Sequence, residues 1–161
     1  MGKQIDTLQA TVFCGIDVSA ATLAVAVIAR DQPLQQRAFA NRPSGHKALI
    51  AWLGKRKAMV RVSLEATGIY SLDLALALDR APHIEVAVLN PKMVNRFAQT
   101  LRRSKTDAAD AMVLAEYSRR MPFTLWRPPS RNQLQLHALR RHIDTLTAEH
   151  AHANNCPFEA P

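Results

Sequence analysis

The sequence predicts an α/β domain built on a mixed five-stranded sheet flanked by helices and followed by a helical extension. Three observations predict it. Five short runs are apolar and β-forming or alternate apolar with polar residues, and the later ones are interleaved with stretches of helical period. The connections between the first three runs are too short for anything but antiparallel neighbours. The chain has 161 residues with 48% hydrophobic content, enough for one domain with a real core rather than a disordered segment.

The elements follow in order. "VFCGIDVS" (12–19) is an apolar, β-forming run. Val12, Cys14, Ile16 and Val18 point to one face, and Phe13, Gly15, Asp17 and Ser19 to the other. "TLAVAVIAR" (22–30) is a second strand, "DQP" (31–33) is turn chemistry, and "LQQRAFAN" (34–41) is a third strand. Ser44 suits a helix N-cap, and Leu49, Trp52 and Leu53 give that helix an apolar stripe. "AMVRVSLE" (58–65) is a fourth strand, "YSLDLALALDR" (70–80) a helix, and "HIEVAVLN" (83–90) a fifth strand. Pro91 opens the next helix at its first position. The order β-β-β-α-β-α-β-α is similar to that of the RNase H-like fold, in which the first and fourth strands are central neighbours.

Beyond residue 101 the texture changes. "TDAADAMVLAEYSRR" (106–120) is helical with small residues on one side, and "MPFTLWRPPS" (121–130), with three prolines, is a linker. Leu136, Leu139, Ile143 and Leu146 then recur at heptad a/d spacing. Two heptads fit equally a coiled-coil start over 131–152 and a helix packed on its own domain. Residues 1–10 read as a disordered N-terminus, 11–120 as the main domain, and 153–161 as an irregular end.

Net charge is +8 at pH 7. The excess lies in residues 91–142, with 11 Lys/Arg against 3 Asp/Glu. Such a bias favours a polyanionic partner over a merely solvated surface. The two cysteines, Cys14 and Cys156, are not paired by spacing, which fits a reducing, cytoplasmic setting. No run approaches the roughly 18 apolar residues that span a membrane, and the first ten residues carry no signal core.

Four carboxylates stand out. Asp17 interrupts an apolar strand, where a charge is costly unless paired or metal-bound. Glu65 ends the fourth strand. Asp107 and Asp110 share a helix face at i, i+3. Each has a plainer explanation: a buried Asp held by backbone hydrogen bonds, a strand-end surface acid, and two first-turn acids favoured by the helix dipole behind a Thr106 cap. Their co-occurrence, in positions where strands and helix can converge, favours a shared site. Gathered carboxylates repel unless a cation intervenes. Mg²⁺ takes oxygen ligands and bridges carboxylate to phosphate, with Mn²⁺ as a substitute. Two ions roughly 3.5–4 Å apart stabilise both oxygens of an in-line phosphodiester displacement.

The neighbouring residues suit nucleic acid. In "EATGIY" (65–70) the chain passes from strand to helix. Gly68 permits close backbone approach and the helix N-terminus offers free N–H groups to a phosphate. Thr67 serves equally as a helix cap. Tyr70 could stack on a base or pack on the domain. Arg102, Arg103 and Lys105, just before the aspartates, could hold a phosphate backbone or form a solvated charge run.

"GIDVS" (15–19), "LEATGIY" (64–70), "VAVLNPKMVNRFA" (86–98) and "RRSKTDAADA" (102–111) together resemble the DEDD-type transposases of bacterial insertion sequences, a group that includes Piv-type DNA invertases and bridge-RNA-guided recombinases. The resemblance covers about residues 11–146, with the four motifs in family order. It implies an N-terminal RuvC-like domain and Asp17, Glu65, Asp107 and Asp110 as Mg²⁺ ligands. It also implies DNA as substrate, a structured guide RNA, a coiled coil used in dimer or tetramer assembly, and a cytoplasmic, nucleoid-associated setting in bacteria. Family members carry a second domain with a catalytic serine. The chain ends at residue 161 without it, and Ser104, Ser118 and Ser130 do not match that serine's motif. The isolated chain is therefore expected to bind metal and nucleic acid without completing recombination.

Three other functions compete. A stand-alone, Holliday-junction-type nuclease would use the same four acids with water as nucleophile. An actin-like sugar kinase needs a second glycine-rich phosphate loop, and the chain has five glycines in all. A non-catalytic nucleic-acid binder would tolerate loss of all four acids.

Overall fold

The computed structural model describes residues 12–30, 32–66, 68–101 and 107–155. The expectations for residues 1–10, Thr67, Arg102, Arg103, Ser104, Lys105, Thr106 and the last six residues lie outside them. The chain divides into two units, the first ending at Trp126 and the second beginning at Arg127.

In the first unit, β1 (Val12–Val18), β2 (Thr22–Ala29) and β3 (Gln32–Ala40) form an antiparallel meander. Then follow α1 (Pro43–Gly54), β4 (Val60–Glu65), α2 (Ile69–Asp79), β5 (Ile84–Leu89), α3 (Pro91–Leu101) and α4 (Asp107–Arg120). The sheet order is β3-β2-β1-β4-β5. β1 pairs parallel with β4, and β4 parallel with β5. This is the RNase H-like arrangement expected from the element order, with β1 and β4 as neighbours within the sheet.

The boundaries differ where backbone chemistry outweighs side-chain preference. Arg42, not Ser44, is the N-cap of α1, because Pro43 takes the first helical position. There its fixed φ is already helical and its missing N–H costs nothing. Gly68, not Thr67, caps α2, with φ of 66°, a left-handed value that glycine adopts without strain. β3 begins at Gln32 and includes Pro33. An edge strand tolerates that proline because its absent N–H is not owed to a neighbour.

The two faces of the sheet are packed differently. On one, Cys14, Ile16, Leu23, Val25, Val62 and Leu64 bury themselves against Leu49 and Leu53 of α1 and Leu74 and Leu78 of α2. Each such leucine contributes roughly 1.5–3 kcal/mol of burial free energy. Cys14 is fully buried, and burial pushes its thiol up to about 12. It is a core residue with no reactive role at neutral pH. On the other face the contacts are small: Ala26 packs with Ala111 and Ala115. Gly15 explains how close α4 lies, since a Cβ there would stand 2.0 Å from the Ala111 carbonyl oxygen and 2.3 Å from the Ala115 nitrogen.

Beyond α4 the chain returns to the sheet. Arg61 pairs with Glu85 on the adjacent strand at 3.0 Å and lies over the Phe123 ring. The Trp126 N–H donates to the Val86 carbonyl of the edge strand β5 at 2.7 Å. In the second unit, α5 (Arg131–Asn155) opens on a capping box. Gln133 N donates to Ser130 Oγ, and Ser130 N donates to Gln133 Oε1. Leu136, Leu139, Ile143 and Leu146 are all exposed, between 51% and 65%. No described helix is long and apolar enough to cross a membrane.

Candidate metal and nucleic-acid site

Asp17 and Glu65 are placed by strand register. Gly15 pairs with Ser63 and Ile16 with Leu64 in the parallel β1–β4 ladder, so Asp17 and Glu65 follow side by side at its end. Alternation then fixes their face. The Cβ direction of Gly15 runs into α4; two residues on, Asp17 points to the same side. Glu65, two residues after Ser63, shares it. Both are half-buried and both engage partners.

α4 runs antiparallel to these strands. Its middle, Ala111 to Ala115, lies on Gly15. Further along, Ser118 Oγ donates to the carbonyl of Arg61 at 3.4 Å, and Arg61 lies opposite Phe13, before Gly15. The N-terminal end of α4 is thus directed toward the strand ends that carry Asp17 and Glu65. Gln36 of β3 donates to the Ala108 carbonyl at 3.0 Å, which anchors that first turn on the β3 side. Asp110 sits in this turn, half-buried. Asp107 is the first residue of α4 in its backbone, and its side chain lies outside the described residues.

Asp17 and Glu65 are brought together, with Asp110 on the same side of the sheet. Among the described residues, no three His, Cys, Asp or Glu side chains gather closely enough to hold a metal ion. The strand pair fits a hard cation on donor chemistry: it offers only carboxylate oxygens, and Mg²⁺ is typically held by one or two carboxylates plus waters and substrate phosphates.

The predicted nucleic-acid residues fall into two groups. Thr67, Arg102, Arg103 and Lys105 lie outside the described residues. Gly68 faces open space, since a Cβ added there would meet nothing within 4 Å, and Tyr70 is 48% exposed. Arg119 and Arg120 are engaged by the buried Glu116 at 3.1 and 2.7 Å, so the end of α4 spends part of its charge internally.

Sequence reasoning missed Asn41 and His46. Asn41 follows β3, and its side chain reaches both the turn after β1 and the start of α2. His46 of α1 is 6% exposed and bonds to Asn41. Burial lowers the His46 pKa, opposed by the charge of Asp73, so the ring is neutral at pH 7. No periodicity marks either residue; only three-dimensional closure does.

The profile of a transposase family, the IS110-type DEDD transposases, matches residues 14–156. The pilin gene-inverting proteins of Moraxella bovis and Moraxella lacunata are 33% and 32% identical over 132 residues, which is 79% of this chain and 40% of each relative. The chain thus spans two fifths of the length of these relatives. Among solved structures, Thermus thermophilus RuvC in complex with a Holliday junction substrate gives a TM-score of 0.48 at 16% identity, covering 67% of this chain and 95% of that one.

Proposed function

The chain belongs to the IS110-type DEDD transposases, and from that premise we propose that its first unit is the metal-dependent DNA-processing domain of a recombinase. Asp17, Glu65, Asp107 and Asp110 are the ligands of Mg²⁺ in this proposal. What supports it most directly is the register that sets Asp17 beside Glu65 on the face carrying α4. The bound ion supplies charge neutralisation at a scissile phosphodiester and a lowered pKa at the attacking group.

The protein's share is placement. Asp17 and Glu65 stand at the ends of two adjacent inner strands, each paired with its outer neighbour, Asp17 with Ala24 and Glu65 with Leu89. The aspartates on α4 are carried by a helix that touches the sheet at backbone distance. Gly68 leaves the N-terminus of α2 unobstructed, so its free N–H groups are open to a phosphate. Tyr70, in the first turn of that helix and exposed, offers a ring for base stacking. Arg102, Arg103 and Lys105 contribute positive charge for the phosphate backbone. A structured RNA is a second polyanionic partner for the same basic surface.

The test is cleavage or strand exchange by the purified chain on branched and recombination-site DNA, with Mg²⁺ and with EDTA. Metal-dependent DNA engagement that Glu65→Gln removes is expected. DNA binding equal in EDTA and in Glu65→Gln would leave only a binder.

The exposed stripe on α5 supports self-association through a coiled coil. Ile143→Asp buries a charge in such a seam and is expected to shift the oligomer to monomer, by about 2 kcal/mol or more per helix pair. Sedimentation velocity at several concentrations measures it; an unchanged distribution would assign the stripe to another partner.

A further inference from the structure

Asn41 closes a small hydrogen-bond network at the end of the sheet where the carboxylates stand. Its Nδ2 donates to the Ser19 carbonyl at 2.7 Å and to the Tyr70 carbonyl at 3.1 Å. Its backbone N–H donates to the Ala21 carbonyl at 2.9 Å. Carbonyl oxygens only accept, so the amide nitrogen must face these two and Oδ1 must face the other way. Oδ1 meets His46 Nε2 at 2.8 Å. That nitrogen must therefore carry a proton, and the tautomer of His46 follows from the orientation of Asn41.

The two carbonyls belong to the two segments that leave the carboxylate strands. Ser19 comes two residues after Asp17, and Tyr70 five after Glu65. Each segment also has anchors of its own. The first is a tight turn closed by Ser19 and Thr22, with Ser19 N donating to the Thr22 carbonyl at 2.9 Å. The second passes through the left-handed Gly68 and is fastened to β5 at Ala66, whose N–H donates to the Leu89 carbonyl at 3.0 Å. The bond to Tyr70 ties the first turn of α2 to the turn after β1, and a buried histidine keeps the Asn41 amide from rotating.

We propose that Asn41, oriented by His46, is a positioning residue for the metal site: it clamps the turn after Asp17 to the first turn of α2, which follows Glu65, and so holds the spacing of the two carboxylates just past the last β1–β4 pair. The inference rests on the metal-binding function proposed above. It predicts an effect on cation affinity out of proportion to any effect on folding, because the clamp joins two exits and carries little of the core. Groups that orient ligands from outside the coordination shell typically alter affinity by about 10–100-fold.

The test uses the whole chain and Mn²⁺ as the probe, its free concentration followed by electron paramagnetic resonance. Asn41→Ala is expected to weaken Mn²⁺ binding about tenfold or more, while the melting temperature in EDTA stays close to that of the unaltered chain. His46→Leu, which removes the donor, should behave like Asn41→Ala. His46→Gln, which retains an N–H donor, should restore most of the affinity. Amide hydrogen exchange in EDTA should quicken at residues 19–22 and 69–71 in Asn41→Ala, which reports the clamp without any metal. Unaltered Mn²⁺ affinity in Asn41→Ala overturns the proposal while the metal site stands. Equal weakening by His46→Leu and His46→Gln overturns the orienting role of His46. Should the unaltered chain itself fail to bind Mn²⁺ while exchange still quickens, the metal site is what falls; the clamp is then purely structural and the positioning role goes with it.

Discussion

Asp17→Asn is expected to reduce Mg²⁺ or Mn²⁺ affinity by more than about 100-fold, beyond what loss of a group outside the coordination shell costs. The substitution keeps shape and hydrogen-bonding capacity but removes the charge. Asp17 has Glu65 beside it on the parallel neighbour strand, and two anions side by side are what a divalent cation relieves. Stability in EDTA should change far less than affinity. Calorimetric titration with Mn²⁺, paired with thermal unfolding in EDTA, separates the two effects. Equal loss of stability and affinity would make Asp17 a structural acid, sustained by its own partners in the fold.

Gly15→Ala is the second large effect, and it acts on packing. A single methyl at this position would meet the Ala111 oxygen at 2.0 Å and the Ala115 nitrogen at 2.3 Å. Both are helix backbone, so no side chain can swing aside. Overpacking usually costs about 1–3 kcal/mol, and more where the backbone must move; the upper end is expected here, read as a lower urea midpoint. Because α4 must lift from β1, metal affinity should fall too, although no ligand is altered. A midpoint and affinity both matching the unaltered chain would mean that α4 does not lie this close to the sheet. Ala111 and Ala115 set the same limit from the helix side, where larger residues would repeat the clash.

The strands and their order are legible because the sequence states them twice, once in alternation and once in connection length. Cys14 and Ile16 face the core while Gly15 and Asp17 face α4, as the period of two requires. The pairing of β1 with β4 is readable only from the element order, since nothing within "GIDVS" or "LEATG" specifies the other strand. Helix starts are less legible. Ser44 and Thr67 have the right side chains for caps, yet Arg42 and Gly68 occupy those positions. Pro43 and the left-handed turn at Gly68 constrain the backbone more strongly than a hydroxyl bond can. The capping box at Ser130 has a readable Ser-x-x-Gln spacing, but the prolines before it dominate the segment and mask the signal.

For the site, residue type and order locate Asp17 and Glu65, but register supplies their adjacency. Asn41 cannot be read at all. An asparagine after a strand ordinarily signals a turn, and its real partners, Ser19, Tyr70 and His46, come from three other elements. Close approach at Gly15 is likewise invisible: a glycine in a strand suggests a bulge or a near neighbour without saying which element is near.

The bond from Trp126 to Val86 alters what counts as the end of the first unit. An outer strand with unmet carbonyls is a template for foreign chains. At the β3 border, Pro33 offers no N–H and Arg37 adds charge. At the β5 border the guard is the chain's own continuation, past the last helix of the unit and through residues that read as a linker. A version trimmed at Arg120 would retain every strand and every candidate ligand, yet bare the Val86 carbonyl and strip Phe123 from Arg61. The stretch from 121 to 126 thus covers part of the β5 edge and shields the Arg61–Glu85 pair.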